Sequence, residues 1–313
     1  MFWKAARENR RSVSSIIWGG SARTWNCVIE QLCSTFRCIA YDQRGWGESD
    51  APADGYTISD LAGDAAALVR ALDLKRYVLV GHSMGGKAAQ FLAAQQPIGL
   101  EALVLVTPAS PLPQNIPEAA RQAQLHAYDS RETVLQTIAF LTAHPPNEST
   151  VEQIVEDSFR GSPAAKLAWP TSAAYEDISE RVKDINVPTL ILAGDQDRQD
   201  ALHPQQTEVL PRIPGARLEV VRESGHLSPI DQPGQLADAI RSFLCHWHLR
   251  LRRNRLWSFG SRWIYHASGR AITTGAFRVL RARTCLSGRP GRVAPGAPPP
   301  GLPPRQSPCP HSC

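Results

Sequence analysis

The segment Val80-Gly81-His82-Ser83-Met84-Gly85-Gly86 constrains this chain more than any other. An apolar run with β-branched residues, 77–80, leads into it, and a helix-like run, 87–95, follows. Strand, sharp turn and helix is the context in which G-x-S-x-G displays a serine hydroxyl clear of the backbone. Gly81 and Gly85 flank Ser83 because a Cβ at either place would crowd so tight a turn. The helix directs its N-terminus at the turn, so the Met84 N–H can face an oxyanion as it develops. A glycine-rich strand-to-helix turn without chemistry carries the same letters. The rest of the chain must therefore supply a base and an acid.

The apolar periodicity places that turn in an α/β chain. Residues 13–17 read as a short strand. Trp25, Val28, Ile29, Leu32, Cys33 and Phe36 recur at helical spacing, predicting a helix over 22–34. Residues 37–41 read as a strand running into Asp42-Gln43-Arg44-Gly45-Trp46-Gly47-Glu48-Ser49. Leu61, Ala65, Leu68, Val69 and Leu72 mark a helix with Thr57 or Ser59 as N-cap. Strands at 77–80 and 102–106 are apolar on both faces, as in a mostly parallel sheet covered by helices on both sides.

After Thr107 the rhythm breaks. Four prolines open about seventy residues of helical periodicity with no strand, read as a helical insertion lying over the strand ends. The α/β pattern then returns: a helix face of Tyr175, Ile178, Val182 and Ile185, a strand over 189–193, a helix near 203–210, a strand over 217–221, and a final helix starting near Pro233. The predicted organisation is a leader (1–12), an α/β core (13–108 and 176–247), a helical cap (109–175) and a basic Arg/Pro-rich disordered tail (248–313).

Charge supports the same division. The tail from His246 holds twelve Arg and no Lys, Asp or Glu, leaving 22 Lys+Arg against 29 Asp+Glu in the rest. The overall net charge of +5 is thus a property of the tail and says nothing about a basic partner for the core. The seven cysteines form no C-x-x-C pair, so no zinc site is expected, and Cys33 and Cys38 read as buried reduced thiols. The N-terminus has too short an apolar run for a signal-peptide core, and no stretch approaches the roughly 18 apolar residues of a membrane span. A cytoplasmic location is the expectation.

His226 is the base candidate, since it follows the last strand in a Gly-His turn at the sheet edge where ligands bind. Asp197 is the acid candidate. Asp195, nearer the strand end, is its rival and reads as a tie for the turn; Asp200 is a weaker one. The residues after the 102–106 strand, Thr107, Pro108 and Ala109, offer no carboxylate. His82, beside the nucleophile, is expected to point away from the serine face. In the resulting chemistry His226 takes the Ser83 proton while Asp197 orients the imidazole, giving acyl transfer through a covalent acyl-enzyme.

With these residues in view, 18–243 resemble the α/β-hydrolase fold superfamily, of the esterase or haloperoxidase-like kind. The Gly-His-Ser-Met-Gly-Gly elbow, the Asp42-x-Arg44-Gly45-x-Gly47-x-Ser49 loop, the Gly-Asp-x-Asp turn and the Gly-His turn carry the resemblance. It implies the order Ser83, Asp197, His226 for a triad, with Met84 and Trp18 as oxyanion donors and no cofactor or metal. It implies a small-molecule acyl substrate, with no nucleic-acid partner.

Both ends depart from the pattern. The seventeen residues before Trp18 do not read as the family's first antiparallel strand pair, so those strands are expected to be missing and the 37–41 strand to keep an open edge. Ile16-Ile17 stand where the oxyanion turn carries His-Gly; losing one donor costs about 100- to 1,000-fold in turnover. The resemblance ends near Trp247, and both ends are expected to be foreign sequence joined to a hydrolase core. The leading expectation is a cofactor-free serine hydrolase acting on a small carboxylic ester or thioester. Two alternatives are a catalytically impaired binding protein or remnant, and a C–C hydrolase, lactonase or perhydrolase on the same triad.

Overall fold

A computed structural model describes Ser12–Ile16 and residues 20–255; for Ser12–Ile16 and 246–255 it describes the backbone alone. Six strands, β1 (Ser12–Ile16), β2 (Arg37–Ala40), β3 (Tyr77–His82), β4 (Leu100–Val106), β5 (Thr189–Gly194) and β6 (Arg217–Val221), form one sheet in the order β2-β1-β3-β4-β5-β6. Every pairing is parallel. The described residues contain no antiparallel strand, and β2 pairs only with β1. Ser12, assigned to the leader, opens β1.

Side-chain alternation sorts the core into two layers. Tyr77, Leu79, Leu103, Leu105 and Ile191 face α2 (Ile58–Ala71) and α3 (Met84–Ala94). Val78, Val80, Val104, Leu190 and Leu192 face α1 (Asn26–Leu32) and the last helix, α10 (Pro233–Arg255). β3 and β5 are consequently buried at every position, each large aliphatic residue contributing roughly 1.5–3 kcal/mol. Thr57 caps α2 in a reciprocal box with Asp60.

The chain leaves β1 for β2 on one side and returns to β3 on the other. That reversal is the switch point of the sheet, and Ser83 stands directly after the C-terminal end of β3. Ligands of open α/β sheets bind in the crevice at such a point.

Between β4 and β5 lie four helices, α4 (Glu118–Leu125), α5 (Arg131–Leu141), α6 (Glu148–Phe159) and α7 (Pro163–Thr171), and no strand. A third cluster, including Tyr128, Val134, Ile138, Val155 and Ala168, packs α5, α6 and α7 on Trp46 and Tyr56. Gly161 is required there: a Cβ on it would stand 2.4 Å from Cζ3 of the buried Trp46 ring.

Four local expectations change. Ile178, Val182 and Ile185 are buried, yet only 3₁₀ turns at Ala173–Tyr175 and Val182–Asp184 form around them. Backbone and side-chain groups there are used elsewhere: Ile178 N–H donates to Pro111 O, Ser179 N–H to Asp177 and Ile58 N–H to Glu176. The run after β5 is a short α8 (Leu202–Pro204) that widens to π geometry over Gln205–Val209. Cys33 closes α1 half-buried, its Sγ 3.3 Å from Glu30 O, whereas Cys38 is buried. Finally, beyond a short α9 (Ser228–Asp231), α10 runs to Arg255, past the expected tail boundary; residues 1–11 and 256–313 lie outside the described residues.

Candidate active site

β3 ends at His82, α3 begins at Met84, and Ser83 between them has φ 55° and ψ −125°. A non-glycine residue with positive φ is strained and survives only where its surroundings enforce it. Here Ser83 N–H donates to Val106 O (3.1 Å), while Ser83 O accepts from Gly86 N (2.8 Å) and Ala109 N (3.0 Å). A Cβ on Gly81 would meet Ala89 Cβ and Gly85 O, each at 2.6 Å; one on Gly86 would meet Pro108 Cβ at 2.8 Å. The turn therefore needs glycine at 86 as well as 81, a second contact that the local motif did not reveal. Met84, as the first residue of α3, has no helical carbonyl one turn back to receive its N–H.

The loop after β6 brings His226 to the same edge, and the loop after β5 brings Asp197. His226 Nδ1 stands 3.0 Å from Asp197 Oδ2, both side chains buried. The other oxygen of Asp197 accepts from Gln199 N (2.8 Å) and Asp200 N (3.0 Å), fixing the carboxylate in place. Burial opposes charge on both partners, but their mutual attraction outweighs it: Asp197 is held below the ordinary carboxylate range and His226 above the ordinary imidazole value. Asp195 instead accepts from Ser224 N at 3.3 Å, tying the two loops together.

Asp200 is a second buried carboxylate, its Oδ2 3.8 Å from His226 Nδ1 and without a hydrogen-bond partner. Burial, reinforced by Asp197, pushes its pKa up to about 7 against the opposing pull of His226.

Two further residues meet at His226. His82 Nε2 lies 2.8 Å from His226 O, and Thr107 Oγ1 donates to the same oxygen at 3.1 Å. The sequence predicts a His82 side chain pointing away from the serine face, and Thr107 offers no carboxylate. Both are buried, and the His82 and His226 ring centroids are 5.2 Å apart. Burial lowers the His82 pKa to about 3, so its ring is neutral and Nε2 carries the donated proton.

A cavity of about 650 Å³, lined in part by Ser83, His82 and His226, extends under the inserted helices. Its other walls include Val134, Ile138, Leu141, Ile154 and Trp169. The insertion is sewn to the loops that carry Asp197 and His226. Leu227 N–H donates to Leu141 O (2.9 Å), Asp231 accepts from both Gly225 N and Ala143 N, and Arg198 donates to Ala139 O and Thr142 O. At the far side, Arg23 and Ser21 hold Asp157 of α6. Trp18, the second expected oxyanion donor, lies outside the described residues.

A family model described as the alpha/beta hydrolase family matches residues 18–239. The chain belongs to the alpha/beta hydrolase family. Among its family relatives, 3-oxoadipate enol-lactonase 2 of Acinetobacter baylyi is 27% identical over 230 residues, covering 72% of this chain and 85% of that protein. A non-heme chloroperoxidase of Streptomyces lividans is 31% identical over 198 residues, covering 58% and 72%. The solved structure of a thermophilic esterase from Thermogutta terrifontis superposes with a TM-score of 0.65 at 26% identity, covering 77% of this chain and 91% of that one. An esterase from Exiguobacterium antarcticum is similar in fold, with a TM-score of 0.68 at 24% identity over 74% of this chain and 91% of that one. These relatives support a hydrolase of the family. No helix among the described residues is long and apolar enough to cross a membrane.

Proposed function

We propose that this alpha/beta hydrolase is a cofactor-free serine hydrolase that cleaves a carboxylic ester, thioester or lactone through an acyl-enzyme. Ser83 is the nucleophile, His226 the base and Asp197 the residue that orients and stabilises the imidazolium. Residues 109–175 act as a cap over the acyl pocket, and the core is formed by 13–108 and 176–247. The observation that carries the reading is the buried 3.0 Å contact of His226 Nδ1 with Asp197 beside a cavity that Ser83 also lines.

The chemistry follows from the atoms. Nδ1 is engaged by Asp197, which leaves Nε2 of His226 to take the Ser83 proton as Oγ attacks the acyl carbon. The Met84 N–H faces the oxygen that gains charge, at the positive end of α3. Collapse of the tetrahedral species expels the alcohol or thiol, which takes the proton from His226. Water then enters by the same route in reverse, releasing the acid and free Ser83.

The lactone member of this class is favoured by the resemblance to an enol-lactonase. Steady-state hydrolysis of p-nitrophenyl butyrate, of γ-lactones and of a vinylogous 1,5-diketone separates the readings. Turnover of esters or lactones supports ester cleavage; turnover of the diketone alone assigns C–C cleavage instead.

A further inference from the structure

The cavity walls restrict what can enter. Val134, Ile138, Leu141, Ile154 and Trp169 present apolar surface, and none of the described lining residues is Lys or Arg. The carboxylate at the cavity, Asp157, is 1% exposed and already held by Arg23 Nε (3.1 Å) and Ser21 Oγ (2.7 Å). A substrate carboxylate would be buried beside an acid whose charge Arg23 already takes up, with no Lys or Arg lining the cavity to meet it.

Ser158 follows Asp157 in α6 and lines the same cavity. Its residue is fully buried and its Oγ has no hydrogen-bond partner. This is unusual within the insertion itself. Thr137, Thr142, Thr171 and Ser172 each satisfy their hydroxyl on the carbonyl one turn back, at 2.8–2.9 Å. Ser158 makes no such bond to Ile154, and a buried hydroxyl left unmade is destabilising unless something else completes it.

We propose that the cavity takes an uncharged, largely apolar acyl compound carrying one hydrogen-bonding oxygen away from the scissile carbonyl, and that Ser158 is the specificity-determining residue that binds that oxygen. This rests on the serine-hydrolase reading above. It assigns the chain a substrate class distinct from acids and their anions. The oxygen is an ether, carbonyl or hydroxyl, all of which accept from Ser158 Oγ–H.

The test uses the full chain and needs no turnover. Ser83 is inactivated with matched p-nitrophenyl phosphonates bearing a cyclohexyl, a tetrahydropyranyl or a carboxycyclohexyl group, and second-order rates are measured. The wild type is expected to react with the tetrahydropyranyl compound at least as fast as with the cyclohexyl compound, and far more slowly with the anion. Ser158→Ala is expected to lower the ether-to-carbocycle ratio roughly fivefold to tenfold. Ser158→Cys, which keeps the side-chain shape but offers only a weak S–H donor, should lower it similarly. The ratio is taken within each variant, so any unfolded fraction cancels. An unchanged ratio in both variants, or an anionic compound as fast as the neutral ones, overturns the assignment of Ser158 and the uncharged class. Failure of folded wild type to react with any phosphonate, and with a small fluorophosphonate besides, overturns the serine-hydrolase reading on which it rests.

Discussion

The side chain of His82 is bound to the backbone of His226: Nε2 lies 2.8 Å from the His226 carbonyl oxygen, across a sequence separation of 144 residues. With Thr107 on the same oxygen, two buried side chains from adjacent strand ends hold the main chain of His226, the proposed base. His82→Leu removes one of the two and leaves the carbonyl half-satisfied. Small displacements of a catalytic group cost up to about 10²-fold, so kcat should fall at least about tenfold with little change in KM. His82→Gln, which keeps a donor, should retain more activity than the leucine variant.

The same histidine sets an acid limit on stability. Its folded pKa of about 3 lies below the unfolded value of 6.5. The contribution of the neutral ring is therefore intact above pH 6.5 and is lost as pH falls from 6.5 towards 3. Thermal melts should show Tm declining through that window, and His82→Gln should flatten the decline. An equal slope in both proteins would contradict this.

Asp197 and Asp195 lie two residues apart, but the first contacts His226 and the second the Ser224 amide. Asp197→Asn should lower kcat by roughly 10³–10⁴-fold, the effect of losing the orienting carboxylate of a triad. Asp195→Asn should leave most of the activity, with a shift in Tm at most. Equal losses in the two variants would refute the assignment of the acid.

Asp200 bears on the pH profile. His226 must be neutral to act as a base, and its folded pKa is raised above 6.5, burial opposing and Asp197 then Asp200 favouring the charge. The acid limb of kcat/KM should therefore fall above pH 6.5. Asp200→Asn removes one of the raising influences, so the limb should move to lower pH. A limb that stays or moves upward would contradict the placement of Asp200 beside the base.

The strand, the strained serine and the helix behind it were legible because apolar runs and glycines report local geometry. The cap of α2 was legible only as Thr57 or Ser59, and Asp197 was preferred to Asp195, which lies nearer the strand end, on the order Ser83, Asp197, His226. His82, Thr107 and Asp200 were harder to read. Their roles depend on loops that meet only when the parallel sheet is assembled, and nothing in the adjacent residues encodes that meeting. The turns around Ile178 and Val182 misled for a related reason: spacing reports which residues are buried, whereas the backbone bonds to Pro111 and the side chain of Glu176 decide that no helix forms. Ser158 left no sequence signal, since a helical serine normally answers to its own backbone.

Arg23 ties the insertion to the core through Asp157. Asp157 is buried, and Arg23 is its cation. Arg23→Met should destabilise by roughly 2–4 kcal/mol, because it leaves a buried charge uncompensated. Arg23→Met with Asp157→Leu should recover most of that loss in denaturant unfolding. A double variant no better than the single would show that the pair is not the source.

The proposed chemistry makes Ser83 an activated nucleophile. Folded protein treated with a fluorophosphonate and analysed by peptide mass spectrometry should carry the adduct on Ser83, with labelling abolished by Ser83→Ala and strongly slowed by His226→Ala. Folded wild-type protein that gains no adduct, or gains it at another residue while Ser83 stays free, would contradict the account.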